Sequence, residues 1–174
     1  QRFYWQKAVY KVTQYVDSDH AGCKRTRKST SCGIAVFGEH MWRAYSSTQK
    51  IIATSSVESE FYSAVTGAQN LIGMVSLSAD LGYKVSANLG IDSSAAKAIL
   101  QRRGISKLRH LHTKALWVQQ SVANKVFDVF KKKGTENPAD LGTKFLDGNR
   151  VLEICKELGF CVLHGVSKLQ KGLQ

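Results

Sequence analysis

Val12-Thr13-Gln14-Tyr15-Val16-Asp17-Ser18-Asp19-His20-Ala21-Gly22 is the stretch that decides the fold. Val12 to Asp17 is a β-branched and aromatic run, the composition of a strand, and Ser18 to Gly22 is a cluster of turn formers. The reading is a strand that ends on an acid and runs into a loop. Beyond the loop, Lys24 to Thr30 (KRTRKST) is polar and basic. Cys32 to Phe37 (CGIAVF) and Met41 to Ser46 (MWRAYS) then read as further strands, joined by the turn Gly38-Glu39-His40. Strands linked in this way predict an antiparallel meander.

From Ser55 the period changes. Val57, Phe61, Ala64, Ala68, Leu71, Val75 and Ala79 recur at spacings of three and four, as one buried face of a helix requires. Ser55 and Ser56 are N-cap candidates, Glu58 and Glu60 suit the positive end of the helix, and Gly82 lies just past its end. A strand follows at Val85 to Asp92, then a short helix around Ser94 to Gln101, a basic connection, and a helix around Thr113 to Asn124. A strand at Val126 to Phe130 and a final helix after Asn137-Pro138 complete the order, with Pro138 placed where its missing N–H costs nothing. Strands that follow helices imply crossovers, so the expectation is an α/β fold: a mixed five-stranded sheet, three strands antiparallel and then two parallel, flanked by helices. Residues 1–11 are read as an N-terminal extension, 12–146 as the domain, and 147–174 as a tail. In the tail Val151, Leu152, Cys155 and Leu158 share an amphipathic face and Gly159 acts as a stop.

With 174 residues, 43% hydrophobic and 22% charged, the chain is long enough for one substantial core and too short for two ordinary domains. Lysine and arginine outnumber acids 25 to 13, and the net charge of +12 favours a polyanionic partner, although an ordinary basic protein shows the same balance. The sequence holds no apolar run of about 18 residues and no signal-peptide layout, so no membrane partner is expected. It begins without methionine, as a piece of a longer polypeptide would. The cysteines Cys23, Cys32, Cys155 and Cys161 form no Cys-x2-Cys pair and read as reduced thiols. A zinc site from His20 and Cys23, or from Cys155, Cys161 and His164, is the competing reading and lacks a recognisable ligand set.

The acids at element ends carry the chemistry. Asp17 ends the first strand, Glu60 lies in the first turns of the long helix, Asp92 ends the fourth strand, and Asp140 opens the last helix. An isolated acid beside a turn is ordinarily a solvated cap. Carboxylates converging on one sheet edge would instead repel by roughly 1 to 4 kcal/mol per pair at about 4 Å. Two hard divalent cations, Mg²⁺ or Mn²⁺, would remove that repulsion and suit an in-line phosphodiester displacement.

The segments holding these acids are Tyr15 to Cys23 (YVDSDHAGC), Thr26 to Ser31 (TRKSTS), Ser46 to Gln49 (SSTQ) and Ser55 to Phe61 (SSVESEF). Asp92 to Ala96 (DSSAA), Arg109-His110 and Asn137 to Lys144 (NPADLGTK) continue the series. From Val12 to Leu146 the chain resembles, in the same order, the ribonuclease H domain of copia-type retrotransposon polyproteins. The resemblance implies a ribonuclease H-like fold, with Asp17, Glu60, Asp92 and Asp140 in the places of the family's metal-binding acids. It also implies cleavage of the RNA strand of RNA·DNA hybrids during reverse transcription, linkage to a reverse transcriptase, a monomeric domain, and an intracellular setting in the cytoplasm (a virus-like particle) or the nucleus. Glu58 and Glu60 lie about 200° apart on a helix, so one of them faces the site; the family pattern selects Glu60 and leaves Glu58 as a solvated or capping acid. Asp19 is read as a cap of its own turn, with an approach to a metal through water as the alternative.

On the substrate side, Lys24, Arg25, Arg27, Lys28, Arg102, Arg103, Arg109 and His110 suit phosphate contacts, against the alternative of solvated charge. Gln49 and Ser93 are candidates for reading the RNA 2′-hydroxyl. The sequence departs from the family pattern at several places. Tyr45 stands for tryptophan, Cys32 for glycine, and Gly142 for leucine, which removes core packing and about 1 kcal/mol of helix propensity near Asp140. The segment Lys131 to Thr135 lacks the histidine that cellular ribonucleases H place there. A module that kept the fold and binds nucleic acid without cutting it is the alternative reading, and a transposase or integrase core is a third.

Overall fold

The computed structural model describes residues 5–104 and 112–160. The elements run β1 (Lys11–Ser18), β2 (Thr30–Phe37), β3 (His40–Thr48), α1 (Ser56–Asp80), β4 (Ser86–Ile91), α2 (Ser94–Gln101), α3 (His112–Ala123), β5 (Asp128–Lys131), two 3₁₀ turns (Gly134–Glu136 and Pro138–Gly142) and α4 (Gly148–Glu157). The strands form one sheet in the order β3-β2-β1-β4-β5. The meander β1 to β3 is antiparallel, while β1, β4 and β5 are parallel, as the element order requires. Arg109, His110, Cys161 and His164 lie outside the described residues. No helix among the described residues is long and apolar enough to cross a membrane.

The sheet is covered on both faces. Val12 and Val16 of β1 and Leu89 and Ile91 of β4 pack on Phe61, Ala64, Ala68 and Leu71 of α1, with Leu100 and Val118 from α2 and α3 closing that core. Gly67 lets α1 sit against the sheet, since a Cβ there would stand 2.4 Å from Val16 Cγ1. On the opposite face Cys32 and Ile34 meet Ala139, Ile154 and Leu158. α1 starts where the capping residues direct it: Ser55 accepts from the Glu58 N–H, and the Glu58 carboxylate accepts from the Thr54 N–H and hydroxyl. Glu58 therefore caps, as one of its readings had it, but it is only 1% exposed rather than solvated.

The helix expected after Pro138 is a five-residue 3₁₀ turn instead. Asn137 caps it through the Ala139 N–H and anchors it by donating to the Val16 carbonyl at 2.9 Å, so the chain is held flat against the end of β1. Other shifts are smaller. β5 opens at Asp128 rather than Val126, and Ala79 of α1 is exposed. α4 buries Ile154, and Leu158 just past its end is buried too, while Leu152, expected on the buried face, is 37% exposed.

Gly142 and Cys32 explain each other. A Cβ on Gly142 would meet Cys32 Sγ at 2.5 Å and Ser46 Cβ at 3.1 Å, so the thiol fills the space that a side chain at position 142 would need. The segment is also tied down, because the Ser46 hydroxyl donates to the Gly142 carbonyl at 2.8 Å. The core packing expected to be missing at Gly142 is thus made good from β2. Gly142→Leu alone should overpack this spot and cost about 1 to 3 kcal/mol in chemical denaturation. Cys32→Gly combined with Gly142→Leu should recover most of that stability, and strictly additive single effects would sink the pairing.

Candidate active site

The β1–β4 register ends at Tyr15/Gly90, and the last residues of β1 have no parallel partner. Side chains from elsewhere take up the backbone there: Asn137 bonds the Val16 carbonyl, Ser63 donates to the Asp17 carbonyl at 2.7 Å, and the Ser18 N–H donates to Glu60 Oε1 at 3.3 Å. Asp17 shares a face with its antiparallel neighbour Cys32, the face covered by the 138–142 turn, whereas Val16 faces α1. Glu60 reaches the same edge from the first turns of α1, and Asp92 stands one residue past β4.

Oxygens of Asp17, Asp92 and Asp140 all lie within 4.8 Å of one another. Among the described residues this is the group of acids, histidines and cysteines close enough to hold a metal ion. Glu60 is not one of the trio, but it lies near enough for Asp17 and Asp92 to push its pKa up. Asp17, 1% exposed, accepts from the Thr143 hydroxyl. The Lys144 ammonium lies 2.7 Å from Asp140 Oδ1, 3.3 Å from Asp17 Oδ1 and 3.9 Å from Asp92 Oδ2. Glu60 Oε2 is buried without a hydrogen-bond partner.

The other residues singled out in the sequence are dispersed. Lys24, Arg25 and Arg27 are exposed and Lys28 half-buried in the loop after β1, a loop closed by the Arg27 N–H to the Cys23 carbonyl at 2.7 Å. Asp19 caps that loop by accepting from the Thr30 N–H at 2.5 Å, as expected. Gln49 is buried; its amide donates to Ser31 Oγ and to the Ser59 carbonyl, bracing the end of β3 against β2 and α1. It also lines a cleft of about 550 Å³ with Ser31, Thr48, Lys50, Tyr62 and Thr66. Ser93 caps α2 through the Ala96 N–H, half-buried Arg102 ends that helix, and Arg103 is exposed. Lys144, Thr143, Asn137 and Ser63 received no role from the sequence. The spacing of four between Asp140 and Lys144 was a visible signal of an acid–base pair; the contacts of Ser63 and Asn137 with β1 had none.

Burial and mutual repulsion set the protonation of this cluster. Burial, reinforced by Asp17 and Asp92, raises Glu60 to about 8. Burial raises Asp17 to about 6, against the lowering by Thr143 and Lys144. Burial lowers the Lys144 ammonium, but Asp140 and Asp17 outweigh it and the net shift is upward. Both carboxyl groups bind protons more tightly in the folded than in the unfolded chain, so the folded state holds more protons between the unfolded carboxylate range and their own values. Their contribution to stability is fully present below the unfolded values and is lost as pH rises through about 6 and then about 8. In a chelator, the melting midpoint should therefore fall as pH rises from roughly 5 to roughly 8.5. Glu60→Gln should flatten the upper half of that decline, and an unchanged slope would contradict the assignment.

No family model matches the sequence. A Retrovirus-related Pol polyprotein from transposon TNT 1-94 of Nicotiana tabacum is 28% identical over 148 residues, which cover 83% of this chain. The match covers only 11% of that relative's length. Among solved structures, LC11-RNase H1, isolated from compost by a metagenomic approach, superposes with a TM-score of 0.59 at 14% identity, over 76% of this chain and 91% of the other. LC11-RNase H1 in complex with an RNA/DNA hybrid gives a TM-score of 0.54 at 14% identity, over 76% and 93%. The chain has the ribonuclease H fold, and its sequence is similar to a stretch of a copia-type retrotransposon Pol polyprotein.

Proposed function

We propose that the chain is a metal-dependent ribonuclease H that cuts the RNA strand of RNA·DNA hybrids as part of a retrotransposon polyprotein. The observation that carries this reading is the gathering of Asp17, Asp92 and Asp140, with Glu60 beside them, at the end of the sheet where the central strands β1 and β4 part. The similarity to a Pol polyprotein and to a protein solved with an RNA/DNA hybrid supports it.

The residues fit hard divalent cations. The donor set is all carboxylate oxygen, the oxygens of three acids lie within 4.8 Å of one another, and Glu60 Oε2 is buried and unpartnered. Asp17, Asp92, Asp140 and Glu60 would hold two Mg²⁺ or Mn²⁺ ions, which supply a water of lowered pKa and charge neutralisation for the departing oxygen. The chain's own contribution is positioning. Ser63 and Asn137 fix the backbone on either side of the Asp17 carboxylate, and Thr143 orients the carboxylate itself. The exposed cations of the loop after β1, Lys24, Arg25 and Arg27 with Lys28, would grip the phosphates of a hybrid without reading its sequence, and Arg102, Arg103, Arg109 and His110 would extend that grip. Ser93 and Gln49, both engaged in internal hydrogen bonds, would meet the hybrid only where those bonds leave them a free lone pair. The enzyme would act as a monomeric unit of the polyprotein beside a reverse transcriptase, in the cytoplasm or the nucleus. Gly142, which favoured a decayed, merely binding module, no longer carries that weight because Cys32 occupies its space.

Labelled RNA·DNA hybrid incubated with the folded chain and Mg²⁺ or Mn²⁺ should lose its RNA strand, and intact RNA under both metals would overturn the reading. Asp17→Asn and Asp92→Asn should each slow cleavage by roughly two orders of magnitude or more while hybrid binding stays within about twofold. Replacing Lys24, Arg25, Arg27 and Lys28 together by alanine should leave the metal site intact and make binding less salt-dependent, by about 0.7 to 0.9 in the log–log slope for each phosphate that the loop no longer neutralises. An unchanged slope would remove this loop from the interface.

A further inference from the structure

We propose that Lys144 is a tethered cation that holds Asp17, Asp92 and Asp140 together in the metal-free protein and must vacate the cluster when a divalent ion binds. The inference rests on the metal-binding reading above and concerns what that site contains before loading. Lys144 is the basic side chain within 4.0 Å of any of the trio among the described residues, and it is within that distance of each of them, at 2.7, 3.3 and 3.9 Å. Two of the ammonium's three N–H donors reach Asp140 and Asp17, and Asp92 at 3.9 Å is drawn in by charge. A Mg²⁺ ion needs its oxygens at about 2.0 to 2.1 Å. Ligand oxygens no more than 4.8 Å apart leave no room for that ion and an ammonium in the same space.

The way out is built in. The side chain is 41% exposed, so the charged end has a route to solvent. Its backbone N–H bonds the Asp140 carbonyl at 3.0 Å, which anchors the residue to the same turn that carries Asp140. A flexible four-carbon stem then lets the charge move while the turn stays in place. In this arrangement the carboxylates are preassembled against their own repulsion, and every divalent ion displaces a resident competitor. The metal affinity is then a net quantity, lower than the acids alone would give. Lys144 is thus a positioning residue.

Isothermal titration of Mn²⁺ into the wild-type chain and into Lys144→Met tests the competition without hybrid or turnover. The variant should bind Mn²⁺ about tenfold more tightly. Its melting midpoint should be lower in chelator, and the gain in midpoint on adding Mn²⁺ should be larger than for the wild type. Lys144→Arg, which keeps the charge, should lie nearer the wild type in chelator. A measurement on the unmodified protein guards against misfolding of the variants: reductive methylation at fixed pH, read by mass spectrometry, should label Lys144 faster once Mn²⁺ is present. Equal or weaker Mn²⁺ binding by Lys144→Met, or labelling indifferent to Mn²⁺, overturns the inference while leaving the metal site standing. Absence of Mn²⁺ binding by both proteins overturns this inference and the metal-dependent reading together.

Discussion

The structure depends on what happens to β1 after Tyr15. There the parallel pairing with β4 ends while the antiparallel pairing with β2 runs on to Ser18, so the backbone groups left without β4 need other partners. A buried carbonyl or N–H left unbonded costs about 1 to 3 kcal/mol, so the fold must bring side chains to them. It brings Ser63 and Glu60 from α1 and Asn137 from the segment after β5. The requirement of satisfying one strand end is thereby what draws the start of α1 and the 138–142 turn to the edge where Asp17 points.

Charge is the second consequence of that convergence. Packing carboxylates against a half-buried edge raises their proton affinity, because burial and neighbouring acids penalise the ionised form together. The fold relieves the penalty locally with the Thr143 hydroxyl and the Lys144 ammonium, both supplied by the same turn as Asp140. The site is a region of stored electrostatic repulsion held in place by the hydrogen bonds behind it. Such an arrangement is costly for stability alone and is suited to binding cations.

Local patterns in the sequence carried the architecture far. The β-branched and aromatic runs bounded by turn formers and the long three-four repeat from Ser55 placed every strand and the main helix within a few residues, and the acids at the ends of those elements were readable as candidates. Regular elements advertise themselves because their periodicity repeats over many residues. What escaped was set by single long-range contacts. The turn after Pro138 was read as a helix because Asn137-Pro138 is a helix-start signal, while the bond from Asn137 to Val16 that flattens it spans 121 positions. Glu58 buries itself under its own cap, Gln49 braces β2 against α1, and Lys144 lies among acids contributed by β1, by the segment after β4 and by the final turn. No local composition encodes such meetings.

The packing of Cys32 on Gly142 makes the two positions interdependent. A larger side chain at 142 would force atoms into the space that the thiol occupies, whereas shortening Cys32 beside Gly142 would open a void between β2 and the 138–142 turn. Bulk at one position can therefore be traded for bulk at the other, and this face of the sheet can be filled from either side.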